Sequence, residues 1–205
     1  MKPTTLVLLS FAAAALFPRA AGAADPRYPD WPCAQAKVPE ISLAAIWDGP
    51  AIADAATAWS SDPAVASLVA RLAARRVPLE EAEKNITDFI AAAGSEKTTK
   101  AVLLFAGVFD TLNRQRTEVM DGLERMERRE KELAARIKDD FAALRALQDE
   151  AQPAEARLAE LNSRIEWGTR IFDDRRKSVR YACEVPALIE RRLGALARAI
   201  RQEME

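Results

Sequence analysis

The sequence predicts an all-α protein: a small helical bundle that carries a long antiparallel coiled-coil hairpin and an extended N-terminal arm rich in Pro and Trp. Three observations support this fold class. Ala, Leu, Arg and Glu are abundant among the 205 residues, whereas aromatic residues make up only 6%, a composition typical of long helices. Apolar residues recur at helical spacing through most of the chain. Only 7 glycines are present to interrupt that pattern.

Residues 1–24 have the features of a secretory signal peptide. Lys2 gives a positive start, residues 6–17 form an apolar run, and small residues precede a cleavage point near Ala23 or Ala24. An apolar run of about a dozen residues is too short to cross about 30 Å of hydrocarbon, which argues against the alternative of an uncleaved anchor. We therefore expect a periplasmic or secreted protein with no transmembrane segment in the mature chain.

Residues 25–50 are expected to form an extended arm, because their prolines prevent regular helix. Trp31 and Trp47 favour burial, so the arm should lie across the helical body. The arm also contains Cys33, and the second cysteine of the chain is Cys183. In an exported chain this pair favours a disulfide, with free thiols or an intermolecular bridge as the alternatives. Closing a loop of about 150 residues would stabilise the fold by roughly 4–5 kcal/mol at most.

Residues 51–118, together with residues 184–205, are expected to form a helical head. Asp62 followed by Pro63 is typical of a helix start, because Asp caps free backbone N–H groups and Pro fits the first helical position. Residues 101–109 are apolar on every side, the pattern of a helix buried at the centre of a bundle. The head should therefore contain the main hydrophobic core.

Residues 119–183 are expected to form the coiled-coil hairpin. Its first helix carries a narrow apolar stripe with spacings of three, four and seven: Val119, Leu123, Met126, Leu133, Ile137, Phe141, Leu144 and Leu147. Pro153 ends that helix, and a second stripe follows at heptad spacing: Leu158, Ile165, Phe172 and Val179. Leu161, Gly168 and Ala182 occupy the second seam position of this helix, which Arg175 interrupts. Antiparallel pairing would bring Cys183 to the base of the hairpin, whether the helices pair within one chain or between chains.

No catalytic, cofactor-binding or metal-binding group of residues stands out. The chain contains no His, which removes the commonest general base and the usual Ser-His-Asp and Cys-His nucleophile systems. Most acidic residues lie among Lys and Arg at helical spacing, as solvated ion pairs do. A hydrolase built on two carboxylates is the weakest hypothesis. We therefore expect a protein that is not an enzyme and that holds no cofactor and no metal.

The net charge argues against nucleic-acid binding. The whole chain has a formal charge of −1, and cleavage would remove Lys2 and Arg19 but no acid, leaving the mature chain at −3. A general nucleic-acid binder needs a basic surplus to neutralise phosphates. The one basic concentration is Arg175, Arg176 and Lys177. It suits an anionic ligand or lipid headgroups at a membrane surface, or else a solvated helix face.

Two tryptophans are further candidates for contact with a partner. Trp31 lies beside Cys33, and Trp167 lies beside Gly168. An exposed Trp would be a binding hot spot. The alternatives are packing on the disulfide and filling the gap at the glycine. The candidate interaction residues are Trp31, Trp167, Arg175, Arg176 and Lys177.

These features favour one class of function over another. We expect an adaptor or structural module that binds a protein partner, or associates with itself, through the hairpin. The alternative is a periplasmic accessory protein that binds a small anionic ligand or a lipid at the head and arm.

Overall fold

The computed structural model describes residues 25–205, and the predicted signal peptide with its cleavage point lies outside the described residues. The described chain is all-α and contains no strand, which confirms the predicted fold class. Two short 3-10 turns, Trp59–Ser61 and Gly94–Glu96, precede the third and fifth helices. The α-helices in residues 25–205 are α1 (Leu43–Ile46), α2 (Ala55–Ala58), α3 (Pro63–Ala73), α4 (Leu79–Ala92), α5 (Lys97–Gln148), α6 (Glu155–Ala182) and α7 (Val185–Gln202).

Local sequence signals set the starts and ends of the helices in the head. The side chain of Asp62 accepts hydrogen bonds from the backbone N–H groups of Ala64 and Val65, at 3.0 and 3.1 Å, and Pro63 occupies the first turn. These bonds satisfy amides that have no partner within the helix. Gly94 has a φ of +53°, a left-handed conformation that only glycine adopts readily. The chain therefore turns from α4 into α5 at this residue.

The core of the head surrounds the first part of α5. Helices α3 and α7 pack against α5, and α4 packs against α7. Trp47 of the arm stacks on Phe105 with ring centroids 3.9 Å apart, so the arm contributes to this core. The largest fully buried side chains of the head are Leu68, Leu72, Ile86, Ile90, Leu104, Phe105, Leu112, Ile189, Leu193, Leu196 and Ile200. They form one continuous cluster, as burial of apolar surface favours.

The second part of α5 extends beyond the head and pairs with α6. The two helices run antiparallel within one chain, and we call this pair the hairpin. Its outer half has a small core of Leu144, Leu147, Leu161 and Ile165, with Leu158 packed against it. At the base of the hairpin, Leu123, Val179 and Cys183 form a second cluster. No helix in residues 25–205 has both the length and the apolar character that crossing a membrane requires.

One residue of the predicted stripe was placed wrongly. Phe141 is 43% exposed and lies outside the seam between the two helices. Asp140 lies there instead, and its carboxylate pairs with Arg164 at 2.5 Å. Positions 140 and 141 both divide the seven residues between Ile137 and Leu144 into steps of three and four. Only position 140 continues the regular alternation of these steps along the heptad. The heptad therefore places Asp140, and not Phe141, between the two helices.

Candidate interaction surface

The disulfide fixes the arm to the base of the hairpin. The structure joins Cys33 to Cys183, the pair that the sequence predicts, with Cα atoms 5.6 Å apart and 150 residues between them in the chain. Cys183 follows the last residue of α6 and packs with Leu123 of α5. Trp31 and Cys33 pack against the same cluster. One covalent bond thus connects the arm with the hairpin at the point where the hairpin meets the head.

Arg116 of α5 holds the arm in place at a second point. Its side chain is only 2% exposed. The guanidinium donates hydrogen bonds to the backbone carbonyls of Val38 and Pro39 in the arm and to the carboxylate of Glu190 in α7. A buried charge is tolerated when it is paired and hydrogen-bonded in this way. Arg116 is not among the residues that the sequence predicts to be functional, although its position four residues after Leu112 continues the buried face of α5.

Ion pairs attach the rest of the arm to α5. The carboxylate of Asp30 lies 2.9 Å from Lys131 and 3.2 Å from Arg128. The hydrogen bond from Lys131 lowers the pKa of Asp30 below its usual value, and the hydrogen bond from Arg128 makes a smaller contribution in the same direction. Nearer the head, Lys37 pairs with Glu124 at 2.5 Å, and both side chains are largely buried. The arm is therefore a fixed part of the surface near the hairpin base.

An open groove of about 1140 Å³ lies between the arm and the hairpin base. The arm contributes Trp31 and the disulfide, α5 contributes Glu130, and α6 contributes Phe172 and Arg176. The indole N–H of Trp31 donates a hydrogen bond of 2.7 Å to the backbone carbonyl of Gln35, which fixes the ring. The groove therefore combines aromatic walls with charged side chains, a common composition for a binding site.

Glu130 is the buried charge in this groove. The residue is only 6% exposed. Its Oε1 accepts a hydrogen bond of 3.3 Å from Arg175, and its Oε2 has no hydrogen-bond partner among residues 25–205. A buried carboxylate oxygen without a partner destabilises the fold, so this atom requires an explanation. No sequence pattern marks Glu130, because it looks like any other acid on a charged helix.

The three residues of the basic cluster predicted from the sequence each contact a different partner. Arg175 pairs with Glu130 across the hairpin, where the sequence indicated only an interruption of the stripe. The guanidinium of Arg176 lies 5.7 Å from the ring centroid of Phe172, and Lys177 pairs with Asp174 at 3.1 Å. Arg176 and Lys177 line the groove with Trp31, whereas Arg175 does not. The structure thus brings three of the five candidates together.

Trp167 lies elsewhere, on the outer part of α6. Its side chain is 62% exposed, so it does not fill the gap at Gly168. A Cβ atom at Gly168 would lie 3.1 Å from Cγ1 of Ile137, which shows that Ile137 occupies that space. Trp167 therefore remains a candidate for contact with a partner, and it does not line the groove.

Neither the described residues nor the comparisons with other proteins assign a metal site to this chain. Across residues 25–205, no three carboxylate or cysteine side chains are arranged to hold a metal ion. That the chain binds no metal and no cofactor stays a prediction. Comparison with protein-family models, with curated proteins and with solved structures finds no match for this chain.

Proposed function

We propose that this chain is an exported, non-enzymatic adaptor or structural protein that docks a protein partner on its hairpin. The observation that carries the proposal is the exposure of α6, which spans 28 residues and packs mainly against α5. Trp167 and Tyr181 on this helix are 62% and 72% exposed. A two-helix layer leaves most of its surface to solvent, and large aromatic side chains on that surface favour contact with another protein.

The two aromatic residues share one face of α6. They are fourteen residues apart, close to four full turns of an α-helix, so they project to nearly the same side. Ile171 lies between them and is partly exposed. Trp and Tyr are enriched among the residues that contribute most to protein–protein binding. This face is the docking surface that we propose.

The proposed location is the periplasm. Residues 1–24 have the pattern of a secretory signal peptide. The Cys33–Cys183 disulfide supports the same location, because disulfides persist in oxidising compartments and are rare in reducing ones. Both observations are compatible with export.

The proposal is tested with the mature chain and two variants. The first combines Trp167→Ala with Tyr181→Ala, and the matched control is Leu188→Ala, an apolar side chain of α7 that is 45% exposed. Each protein is used as bait in a periplasmic extract, and the affinity for any captured protein is then measured by calorimetry. We expect the double variant to bind about 30-fold more weakly or worse, since truncating a hot spot costs about 2 kcal/mol or more.

Three outcomes are informative. A partner that wild type and the control bind equally, and that the double variant loses, supports docking on the hairpin. Association of the wild type with itself in sedimentation, again lost in the double variant, identifies the partner as a second copy. Equal behaviour of all three proteins in both experiments would contradict the proposal.

The alternative function, binding of a small anion or a lipid near the arm, has one observation in its favour. Arg176 and Arg180 line the groove and make no ion pair with any residue in the range 25–205. This hypothesis predicts that phosphate or anionic vesicles raise the melting temperature of the mature chain. The increase should disappear in Arg176→Glu, which reverses one of the two charges.

A further inference from the structure

The groove beside the arm has its own chemistry, separate from the aromatic face of the hairpin. From the buried carboxylate of Glu130 we infer that this groove binds an organic cation, either a guanidinium or an alkylammonium group. The cation donates a hydrogen bond to Oε2 of Glu130, and its carbon atoms pack against Trp31 and Phe172, which line the same groove. The inference does not depend on the proposed role of the hairpin.

Glu130 is buried and incompletely hydrogen-bonded. The side chain lines the groove and is 6% exposed, and its Oε2 has no hydrogen-bond partner among the described residues. Within residues 25–205 its Oε1 has one partner, Arg175, at 3.3 Å, which is long for a charge-assisted bond. The last torsion of a Glu side chain is broad, so a small rotation can turn Oε2 toward the groove. A cationic donor there would satisfy an atom that the fold leaves without a partner.

Charged side chains of both signs surround the groove, four acidic and four basic. Two of the basic residues are already paired, Lys131 with Asp30 and Lys177 with Asp174, and Glu130 is paired with Arg175. Within residues 25–205 three acids of the groove form no ion pair, and neither do two of its arginines: Glu127, Asp173, Glu184, Arg176 and Arg180. The unpaired charges of the groove are therefore three negative and two positive, a small negative excess.

Burial decides between a cation and an anion. Arg176 and Arg180 are the unpaired basic residues of the groove, and both are exposed, so water screens their attraction for an anion. Glu130 is buried, and an ionic interaction is stronger where the local dielectric constant is low. Water therefore screens the attraction of Glu130 for a cation less than it screens the attraction of the two arginines for an anion.

The aromatic walls suit the same ligand. A cation is attracted to the face of an aromatic ring within about 6 Å of its centroid. Phe172 already has one such contact, because the guanidinium of Arg176 lies 5.7 Å from its centroid. Trp31 offers a larger ring, held by its hydrogen bond to the carbonyl of Gln35. A ligand guanidinium or ammonium can use the same kind of contact.

The test titrates the mature, disulfide-bonded protein with three cationic probes. N-acetyl-arginine amide and spermidine represent free cations, and an acetylated Gly-Arg-Gly peptide represents a basic side chain of another protein. Inorganic phosphate serves as the anionic probe. The signal of the Trp31 indole N–H in a nitrogen–proton NMR spectrum reports occupancy, and Trp31→Phe assigns that signal. We expect a saturable shift with at least one cation and none with phosphate.

The key variant is Glu130→Gln, which keeps the shape of the side chain and removes its charge. We expect it to weaken binding of the cation about ten-fold or more, the usual range for a hydrogen bond to a charged group. The matched control is Asp140→Asn, because Asp140 is also a seam carboxylate paired with an arginine, Arg164, but lies outside the groove. Asp173→Asn neutralises an exposed carboxylate at the groove. It should weaken binding only a few-fold, because solvent screens the charge of Asp173.

The outcomes separate the possibilities. A preference for the peptide over the two free cations would place the cation on a protein partner, and the reverse would indicate a small molecule. The proposal is overturned if no cation shifts the Trp31 signal, if only phosphate does, or if Glu130→Gln binds as tightly as wild type. Trp167 and Tyr181 do not line the groove, so the docking face on the hairpin can fail its own test without affecting this one.

Discussion

The head and the hairpin are both helical, but they bury their apolar residues to different degrees. In the head, Leu193 and Leu196 are fully buried, with 0% exposure. In the hairpin, the best-buried side chains of the outer half, such as Leu161 and Leu147, keep exposures of 7% and 8%. Helices on several sides surround a head residue, whereas a hairpin residue has one partner helix. The difference indicates that the head supplies stability and the hairpin supplies surface.

The seam of the hairpin also contains charges. Glu130 pairs with Arg175, and Asp140 pairs with Arg164. Three of these four residues, Glu130, Asp140 and Arg175, occupy positions where a coiled coil usually places apolar residues. Such pairs reduce the apolar area that the two helices bury. They also favour one register, because a shifted pairing would leave charges unpaired. The hairpin therefore gains specificity in its pairing at some cost in stability.

The largest expected difference between the two regions comes from truncating one leucine in each. Leu193→Ala removes a fully buried side chain of the head core, and we expect it to lower the free energy of unfolding by about 3–5 kcal/mol. Leu161→Ala opens a site at the edge of a two-helix layer, which can relax or admit water, so we expect a loss of about 2 kcal/mol or less. Urea unfolding followed by circular dichroism measures both. Equal losses would mean that the hairpin contributes as much to the fold as the head does.

A smaller effect is expected at Asp62, where the head begins its third helix. Asp62→Ala removes the N-cap and should cost about 1 kcal/mol at neutral pH. The hydrogen bond from Lys100 lowers the pKa of Asp62 below its reference value of 3.8, and the hydrogen bond from the backbone N–H of Val65 adds a smaller contribution. The ionised form therefore stabilises the fold above that pH, and this stabilisation is lost as the pH falls through the lowered pKa.

The pH dependence identifies the source of that stabilisation. We expect the difference in unfolding free energy between wild type and Asp62→Ala to be constant near neutral pH and to shrink below about pH 3.8. Asp62→Asn is the control, because Asn caps a helix without a charge and its difference from Asp62→Ala should not depend on pH. A difference that stayed constant down to pH 2 would show that the ionised carboxylate has no special role.

Several parts of the fold could be predicted because local chemistry determines them. Asp62 and Pro63 start a helix wherever they are, since capping needs only neighbouring backbone groups. Pro153 breaks the helical pattern for a similarly local reason. The pairing of Cys33 with Cys183 followed from the expected compartment and from the absence of other cysteines. None of these inferences required knowledge of the tertiary structure.

The candidate site could not be predicted in the same way, because it depends on contacts between distant segments. Arg116 and Glu130 look like surface charges in the sequence, and only the packing of the arm and α6 buries them. Phe141 fits the apolar spacing of the stripe, yet the structure exposes it and places Asp140 in the seam. Burial of a charge carries no local signal, so sequence periodicity alone favours the apolar neighbour.

The smallest expected effect compares one glycine from each region. Gly194→Ala in α7 should raise the free energy of unfolding by about 0.5–1 kcal/mol, because Ala loses less backbone entropy and the new Cβ would meet only the flexible end of Arg198, at 3.5 Å. At Gly168 of α6 the same change would place Cβ 3.1 Å from Ile137, which must move aside, so we expect a smaller gain. Thermal melting of the two variants beside wild type measures both changes. An equal gain in stability at the two sites would show that Ile137 moves easily and that the hairpin seam is looser than its heptad pattern implies. A clear loss of stability at Gly168 would show that the seam is as rigid as the head core. That second result would contradict the view that the hairpin serves mainly as a surface.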